Sequence, residues 1–163
     1  MTAQKVGLEI PELRFARTED APEVVRLAAL MFASIGLETG SPEWQTAGVE
    51  AVRCRLGDQL GVFVAAIPGE TRLVASVAGS ITERLPTPKN PNGRTGYVQW
   101  VATDPDWRRM GLGRKLTSML LDWFLSKGVH NVELHASREG EGVYRSLGFS
   151  DPPHPNLKWR ESK

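Results

Sequence analysis

The sequence predicts an α/β domain: a central mixed β-sheet with helices on both faces. Three observations carry that expectation. Runs of β-favouring residues alternate with longer runs of helical period, in the order β, α, α, β-hairpin, β, α, β, α, β. The hairpin requires an antiparallel pair. Between Gly96 and Ala136 a strand, a long amphipathic helix and a second strand follow one another, a crossover that sets two strands parallel and right-handed.

The elements follow in order. Leu13-Arg14-Phe15-Ala16-Arg17 alternates apolar and basic residues, as a half-buried strand does. Asp20-Ala21-Pro22-Glu23 reads as a helix start, with aspartate as cap, proline in the first turn and glutamate three after the cap. Val24, Leu27, Ala28 and Met31 then form one apolar face to about Ala33. Ser41-Pro42-Glu43-Trp44 caps a second helix reaching Arg55. Val62 to Ile67 and Leu73 to Ile81 are apolar strands joined by Pro68-Gly69-Glu70-Thr71.

Leu85 to Thr95 holds three prolines and two asparagines and is read as a loop, either a plain connection or a substrate-side flap. Gly96 to Ala102 is a strand, Thr103 to Trp107 a turn, and Gly111 to about Ser126 a helix closed by Lys127 and Gly128. Val129 to Ala136 is expected as a strand and Glu139 to Ser146 as a short helix ended by Gly148, with Phe149 folding back. After the rigid Asp151–Pro155 connector, Asn156 to Trp159 is expected as a last edge strand.

Composition bounds the function. The 163 residues suffice for one domain with a real core, placed at 13–163, with 1–12 as a loose start. Twenty basic against nineteen acidic side chains leave a net charge of +1, so no global field draws nucleic acid or an anionic membrane. No apolar run reaches membrane-span length and no basic-then-apolar leader opens the chain, so a cytoplasmic location is expected. Cys54 is the only cysteine, which excludes an internal disulfide; in its helix it reads as a buried, inert thiol. His130, His135 and His154 show no ligand spacing, so no metal is expected. There is no G-x-S-x-G nucleophile elbow.

The chemistry concentrates at Arg108-Arg109-Met110-Gly111-Leu112-Gly113-Arg114. The first amides of a helix lack internal partners, and the macrodipole places about half a positive charge there. A pyrophosphate at that end receives several N–H bonds at once. Gly111 and Gly113 allow a tight turn and close approach, while Arg108, Arg109, Arg114 and Lys115 ring the site with cations. The motif is not a Walker loop, and no third glycine completes a dinucleotide fingerprint. A bare glycine turn with solvated arginines is the plainer alternative; the strand before and helix after favour an anion site.

With those residues in view, Val101 through Gly113 resembles the acetyl-CoA-binding motif of the GNAT superfamily of N-acetyltransferases. The resemblance continues through Val132-Glu133-Leu134-His135-Ala136-Ser137 to the closing Tyr144-Arg145-Ser146-Leu147-Gly148-Phe149, covering Gly96 to Phe149. It implies the acyl-CoA N-acyltransferase fold, in which two parallel strands splay apart and pantetheine lies in the gap. It implies that the backbone of Val101, Ala102 and Thr103 meets pantetheine and polarises the thioester carbonyl. The loop of Arg108, Arg109, Met110, Gly111, Leu112, Gly113 and Arg114 would hold the pyrophosphate, and Tyr144 would protonate the departing thiolate. Ser137 stands where the family often has an asparagine on the cofactor. The segment Ile35 to Trp44 corresponds to the one bordering the acceptor, and a homodimer, common in the family, is left open through Trp159.

The implied reaction is transfer of acetyl from acetyl-CoA, the co-substrate, to the primary amine of a small molecule by direct attack. Such a transfer needs a neutral amine, a stabilised oxyanion and a proton for sulfur. A protein or peptide acceptor, a non-catalytic CoA sensor and a general phosphate binder are the alternatives. The base is unassigned: Gly96 to Thr103 holds no carboxylate, and His135, Glu38, Glu43 and Glu83 are weak candidates.

Overall fold

The structure, a computed structural model, describes residues 9–162; the first eight residues of the expected loose start lie outside the described residues. Five strands form one sheet: β1 (Glu12–Phe15), β2 (Leu60–Ala66), β3 (Leu73–Glu83), β4 (Arg94–Thr103) and β5 (Val132–Glu133), adjacent in chain order. The first four pair antiparallel and β4 pairs with β5 parallel, so the sheet is mixed. Four helices accompany it: α1 (Ala21–Ser34), α2 (Pro42–Arg55), α3 (Leu112–Ser126) and α4 (Glu141–Ser146).

Period-two alternation divides the core between the two faces. On β2, Val62, Val64 and Ala66 pack with Val24 and Leu27 of α1 and Val52 of α2. Phe63, Ala65 and Ile67 point the other way, to Leu116, Leu120 and Phe124 of α3. The whole of β2 is therefore buried, which is why its sequence is an unbroken apolar run.

α3 is seated by glycine on the sheet. A Cβ on Gly79 of β3 would lie 2.6 Å from Phe124 Cζ, and one on Gly96 of β4 would lie 2.8 Å from Phe124 Cε1. Phe124 is fully buried and cannot swing away. Small strand residues thus let the middle and C-terminal half of the helix approach the sheet closely.

Several boundaries differ from expectation. Asp20 stands at the N-cap of α1, but its carboxylate does not cap that helix. It accepts from the Arg14 guanidinium at 2.7 and 3.1 Å and from the Arg17 N–H at 2.7 Å, a charged fork outcompeting a neutral amide. Glu23 likewise takes the Leu73 N–H at 3.0 Å and ties α1 to β3. Cys54 is exposed rather than buried, and its contact with Glu50 pushes the thiol up, away from the reactive thiolate.

The strand expected over Val129–Ala136 pairs only at Val132 and Glu133, because residues 134–136 leave the sheet while β4 runs on. The helix expected from Glu139 begins at Glu141. The edge strand expected at Asn156–Trp159 does not form; Leu157 and Trp159 are 91% and 85% exposed. The edge-strand basis for a homodimer falls with it.

The proline-rich loop before β4 is docked at the C-terminus of α3. Asn92 Nδ2 donates to the Gly128 carbonyl at 2.8 Å, and the Arg94 guanidinium donates to that of Lys127. These side chains satisfy carbonyls that the helix end leaves free.

Gly79→Ala is expected to lower unfolding free energy by about 1–3 kcal/mol through overpacking against Phe124 and Leu120. Urea unfolding measures it, and an unchanged midpoint would mean that α3 is not held this closely.

Candidate active site

The site begins at a break in the β3–β4 ladder. Ser76 pairs with Ala102 and Ala78 with Gln99, so Trp100 and Val101 together oppose the single residue Val77. This is a β-bulge, and Trp100 occupies it at φ +54°, a left-handed conformation costing about 1–2 kcal/mol for a residue with a side chain. Two consequences follow. Gln99 and Trp100 both turn to the α1–α2 face, whereas unbroken alternation would send Trp100 toward α3. An extra backbone amide is also released from the ladder.

The bulge follows the parting of β4 from β5, three residues after their last rung at Tyr97. Their parallel ladder has two rungs, Gly96 to Val132 and Tyr97 to Glu133. Beyond Tyr97, β4 runs on to Thr103, while residues 134–137 leave the sheet. The pairing leaves a gap there, with Val101, Ala102 and Thr103 on β4 and Ser137 beyond the end of β5.

A buried aspartate fixes the turn that follows. Asp104 N–H donates to the Val74 carbonyl at 2.8 Å, and its carboxylate accepts from Arg72 at 2.8 Å and from the Asp106 N–H at 3.2 Å. Burial pushes this carboxyl up, but the Arg72 guanidinium and the Asp106 N–H outweigh burial and hold it below the usual carboxylate range.

From there the chain enters the glycine loop. Arg109 and Gly111 both adopt positive φ, +62° and +73°, and Gly111 is the N-cap of α3. Arg108, Arg109, Met110, Gly111 and Arg114 are exposed, whereas Leu112 is buried and anchors the helix start in the core. Arg108 Nε reaches back to the Thr103 carbonyl at 3.4 Å. A Cβ on Gly113 would meet only Val101 Cγ1, at 3.9 Å, so packing within the chain does not require glycine there.

α4 completes this side. Its C-terminus is a Schellman turn: Gly148 at φ +99° donates to the Arg145 carbonyl, and the Phe149 N–H donates to that of Tyr144 at 3.1 Å. The Phe149 ring then meets the Tyr144 ring edge-on at 6.0 Å. The Tyr-x-x-x-Gly-Phe pattern is thus a device that locks the tyrosine ring in place. Burial pushes the Tyr144 phenol up. Arg114 Nε donates to Ser146 Oγ at 3.1 Å, joining the glycine loop to α4. Ser137 Oγ accepts the Gly140 N–H at 3.2 Å and shapes the turn into α4.

On the opposite face lies a cavity of about 620 Å³ between α1, α2 and β3–β4. Phe32, Trp44 and Trp100 line it with three rings packed edge-on, at centroid distances of 5.6 and 6.4 Å. Glu38 and Arg55 are its charged residues, and Gln99 and Ser80 are joined by a 2.7 Å hydrogen bond. The Thr39 carbonyl accepts from Trp44 Nε1 and Gln45 Nε2, which pins the α1–α2 connection over the opening. Glu43 and Glu83 do not line it. His135 is hydrogen-bonded to Tyr97 Oη at 2.8 Å. The cavity residues on α1 and β3 escaped sequence reading because they read as ordinary core positions. Trp100 carried one signal, a break in strand alternation.

Comparison with known proteins fixes the class. Residues 27–149 match the Acetyltransferase (GNAT) family, and the chain belongs to it. It is 31% identical over 106 residues to glucosamine 6-phosphate N-acetyltransferase of Trypanosoma brucei brucei, covering 64% of this chain and 68% of that one. It is 41% identical over 54 residues to the ribosomal protein bS18 alanine N-acetyltransferase of Escherichia coli K12, covering 31% of this chain and 36% of the relative. The fold is shared with a predicted acetyltransferase of Clostridium acetobutylicum crystallised with acetyl-CoA, at TM-score 0.78, 23% identity and coverage of 93% and 95%. Among the described residues no helix is long and apolar enough to cross a membrane, and no group of three or more His, Cys, Asp or Glu could hold a metal ion.

The lowered Asp104 carboxyl gives stability that is full above the ordinary carboxylate range and is lost as pH falls from about 4 toward its folded value. Asp104→Asn is expected to flatten that acid limb. It should also lower stability near pH 7 by about 2 kcal/mol, a fall of about 4–8 °C in Tm. Thermal melts of both proteins across acid pH test it; parallel curves would remove Asp104 as the anchor.

Proposed function

We propose that the protein transfers the acetyl group of acetyl-CoA to the primary amine of a small molecule with an apolar body, by direct attack. The observation that carries this reading is the β4 bulge. It sets backbone amides beside the parting of β4 and β5, with the glycine loop at one end and the aromatic cavity on the other face.

In this reading the exposed amides from Arg109 to Arg114 and the N-terminal end of α3 bind the pyrophosphate, with Arg108 and Arg114 on its oxygens. Gly113, which no internal contact demands, gives the phosphate room. Pantetheine lies along Val101, Ala102 and Thr103, and an amide freed at the bulge donates to the thioester oxygen as negative charge develops there. Such a donor contributes about 3–4 kcal/mol in comparable sites. Ser137, already engaged with Gly140, offers its hydroxyl hydrogen at the far side of the gap.

The amine lone pair attacks the carbonyl carbon, the oxyanion forms and collapses, and the C–S bond breaks. Tyr144 gives its proton to the leaving thiolate. Its raised pKa keeps that proton in place across the physiological range.

The cavity favours the acceptor class. Three aromatic faces suit an apolar body and attract an ammonium group by cation–π interaction, and Glu38 adds a carboxylate. Arg55 is its one lining cation, a poor match for the phosphate of the trypanosomal relative's sugar. The bacterial relative, which by name acts on an alanine of a ribosomal protein, supports a peptide N-terminus as the second reading.

Released thiol is the assay, with acetyl-CoA and a panel of 2-phenylethylamine, glucosamine 6-phosphate and an alanine-initiated peptide. The expected order places 2-phenylethylamine first. Preference for the peptide would favour the second reading, and no turnover of any amine would contradict the assignment. Tyr144→Phe is expected to lower kcat by about 100-fold while leaving KM for acetyl-CoA near wild type. Unchanged kcat at every pH would remove its acid role.

A further inference from the structure

We propose that Tyr97 and His135 together take up the proton released by the acceptor nitrogen, an inference that rests on the transfer reaction proposed above. When the amine nitrogen bonds to the thioester carbon it becomes cationic, and it must lose a proton before the intermediate can collapse to an amide. β4 offers no carboxylate for this from Arg94 to Thr103. It offers a phenol.

The register places that phenol on the acceptor side. Ser80 pairs with Tyr97 and Ala78 with Gln99, and Ser80, Ala78 and Gln99 line the aromatic cavity. Directly paired residues share a face, so Tyr97 faces the same side. Gly96 and Val98 point the other way, into the α3 core. Tyr97 also forms the last rung to β5 before the two strands part. From the parted strand, His135 reaches back across the apex, with its Nδ1 2.8 Å from Tyr97 Oη and the rings edge-on at 5.7 Å. The pair therefore bridges the end of the β4–β5 ladder on that face of the sheet, outside the cavity lining but next to Ser80 of its wall. Tyr97 is half-buried, whereas His135 is exposed and can pass a proton to water.

The proton balance is simple. The nitrogen gives its proton to Tyr97 Oη as Tyr97 gives its own to His135 Nδ1, leaving the phenol neutral and the ring an imidazolium. The imidazolium discharges to solvent, and Tyr144 recovers from solvent the proton it gave to sulfur. Tyr97 is the catalytic residue of the pair; His135 acts through it.

The charged groups around the pair are few. β5 supplies Glu133, whose carboxylate lies 3.7 Å from the Arg84 guanidinium just beyond β3. β3 ends at Glu83, and the cavity contributes Glu38 and Arg55. On α1, Glu23 and Arg26 bind each other and the Leu73 backbone, at the opposite end of β3. α3 packs on the other face of the sheet. Glu38 is the rival acceptor.

The test uses the full chain, acetyl-CoA and saturating 2-phenylethylamine, with kcat followed from acid to alkaline pH. A base must be unprotonated in the complex, so wild-type kcat rises with pH from the acid side. Tyr97→Phe and His135→Gln are each expected to abolish the limb and lower kcat by about 100-fold at neutral pH. The double variant should be no worse than either single, since the two act as a unit. Persistence of the limb in both single variants, multiplication of their effects, or loss of the limb in Glu38→Gln alone would overturn the proposal. A second readout needs no turnover: nitrogen NMR of neutral His135 should place the proton on Nε2, leaving Nδ1 to accept. A proton on Nδ1 would make the ring the donor and overturn the relay. Wild-type inactivity toward every amine would instead count against the transfer reaction itself.

Discussion

One extra residue in β4 organises the molecule. Because Trp100 and Val101 share the position opposite Val77, consecutive Gln99 and Trp100 turn to one face and Val101 to the other. Trp100 joins Phe32 and Trp44 on the α1–α2 side, while Val101 packs toward α3 and the glycine loop. The left-handed conformation of Trp100 costs about 1–2 kcal/mol, which three edge-on ring pairs, at about 0.5–1.5 kcal/mol each, can offset. An unbroken strand would have sent that indole into the space occupied by α3.

The two faces of the sheet then divide the chemistry. α3, lowered onto Gly79 and Gly96, presents its N-terminus at the end of β4. The turn between them is held by Asp104, bound to Arg72 and to two backbone segments. α4 is attached through Arg114 and Ser146, and its Schellman turn orients Tyr144. In the proposed reaction, anionic and thioester chemistry falls to the α3 side and amine recognition to the α1–α2 side. They meet where β5 leaves the sheet. The gap is a consequence of pairing that stops after two rungs, so no lid is required to form it.

Much of this was legible in the sequence. Pro42–Arg55 was legible, because Ser41 followed by proline at the first position is a local start signal. The glycine loop and Tyr-x-x-x-Gly-Phe were readable because positive φ and Schellman turns demand glycine at fixed offsets. What escaped depended on distant partners. Residues 134–136 have strand composition, but whether they pair is decided by β4. The carboxylate of Asp20 could not show its preference for Arg14, which alternation placed in a strand. Cys54 read as buried because helical period alone does not say which face of α2 meets the sheet. Asn156–Trp159 looked like an edge strand, yet β5 is too short and too divergent to template one. The aromatic cavity was invisible because its walls come from α1, α2, the connection between them, and β2, β3 and β4.

The most direct test of the central claim, that the gap beside the bulge and the N-terminus of α3 form one acetyl-CoA site, is thermal unfolding with acetyl-CoA, CoA, ATP or buffer alone. A ligand at about 100 times its Kd stabilises by about 2.7 kcal/mol, which for a chain of this length is a rise of about 5–10 °C. The account predicts that rise with acetyl-CoA and CoA and little with ATP, which has phosphates but no pantetheine. Equal shifts with all three would leave only a phosphate site at the helix, and no shift at saturating acetyl-CoA would contradict the site altogether.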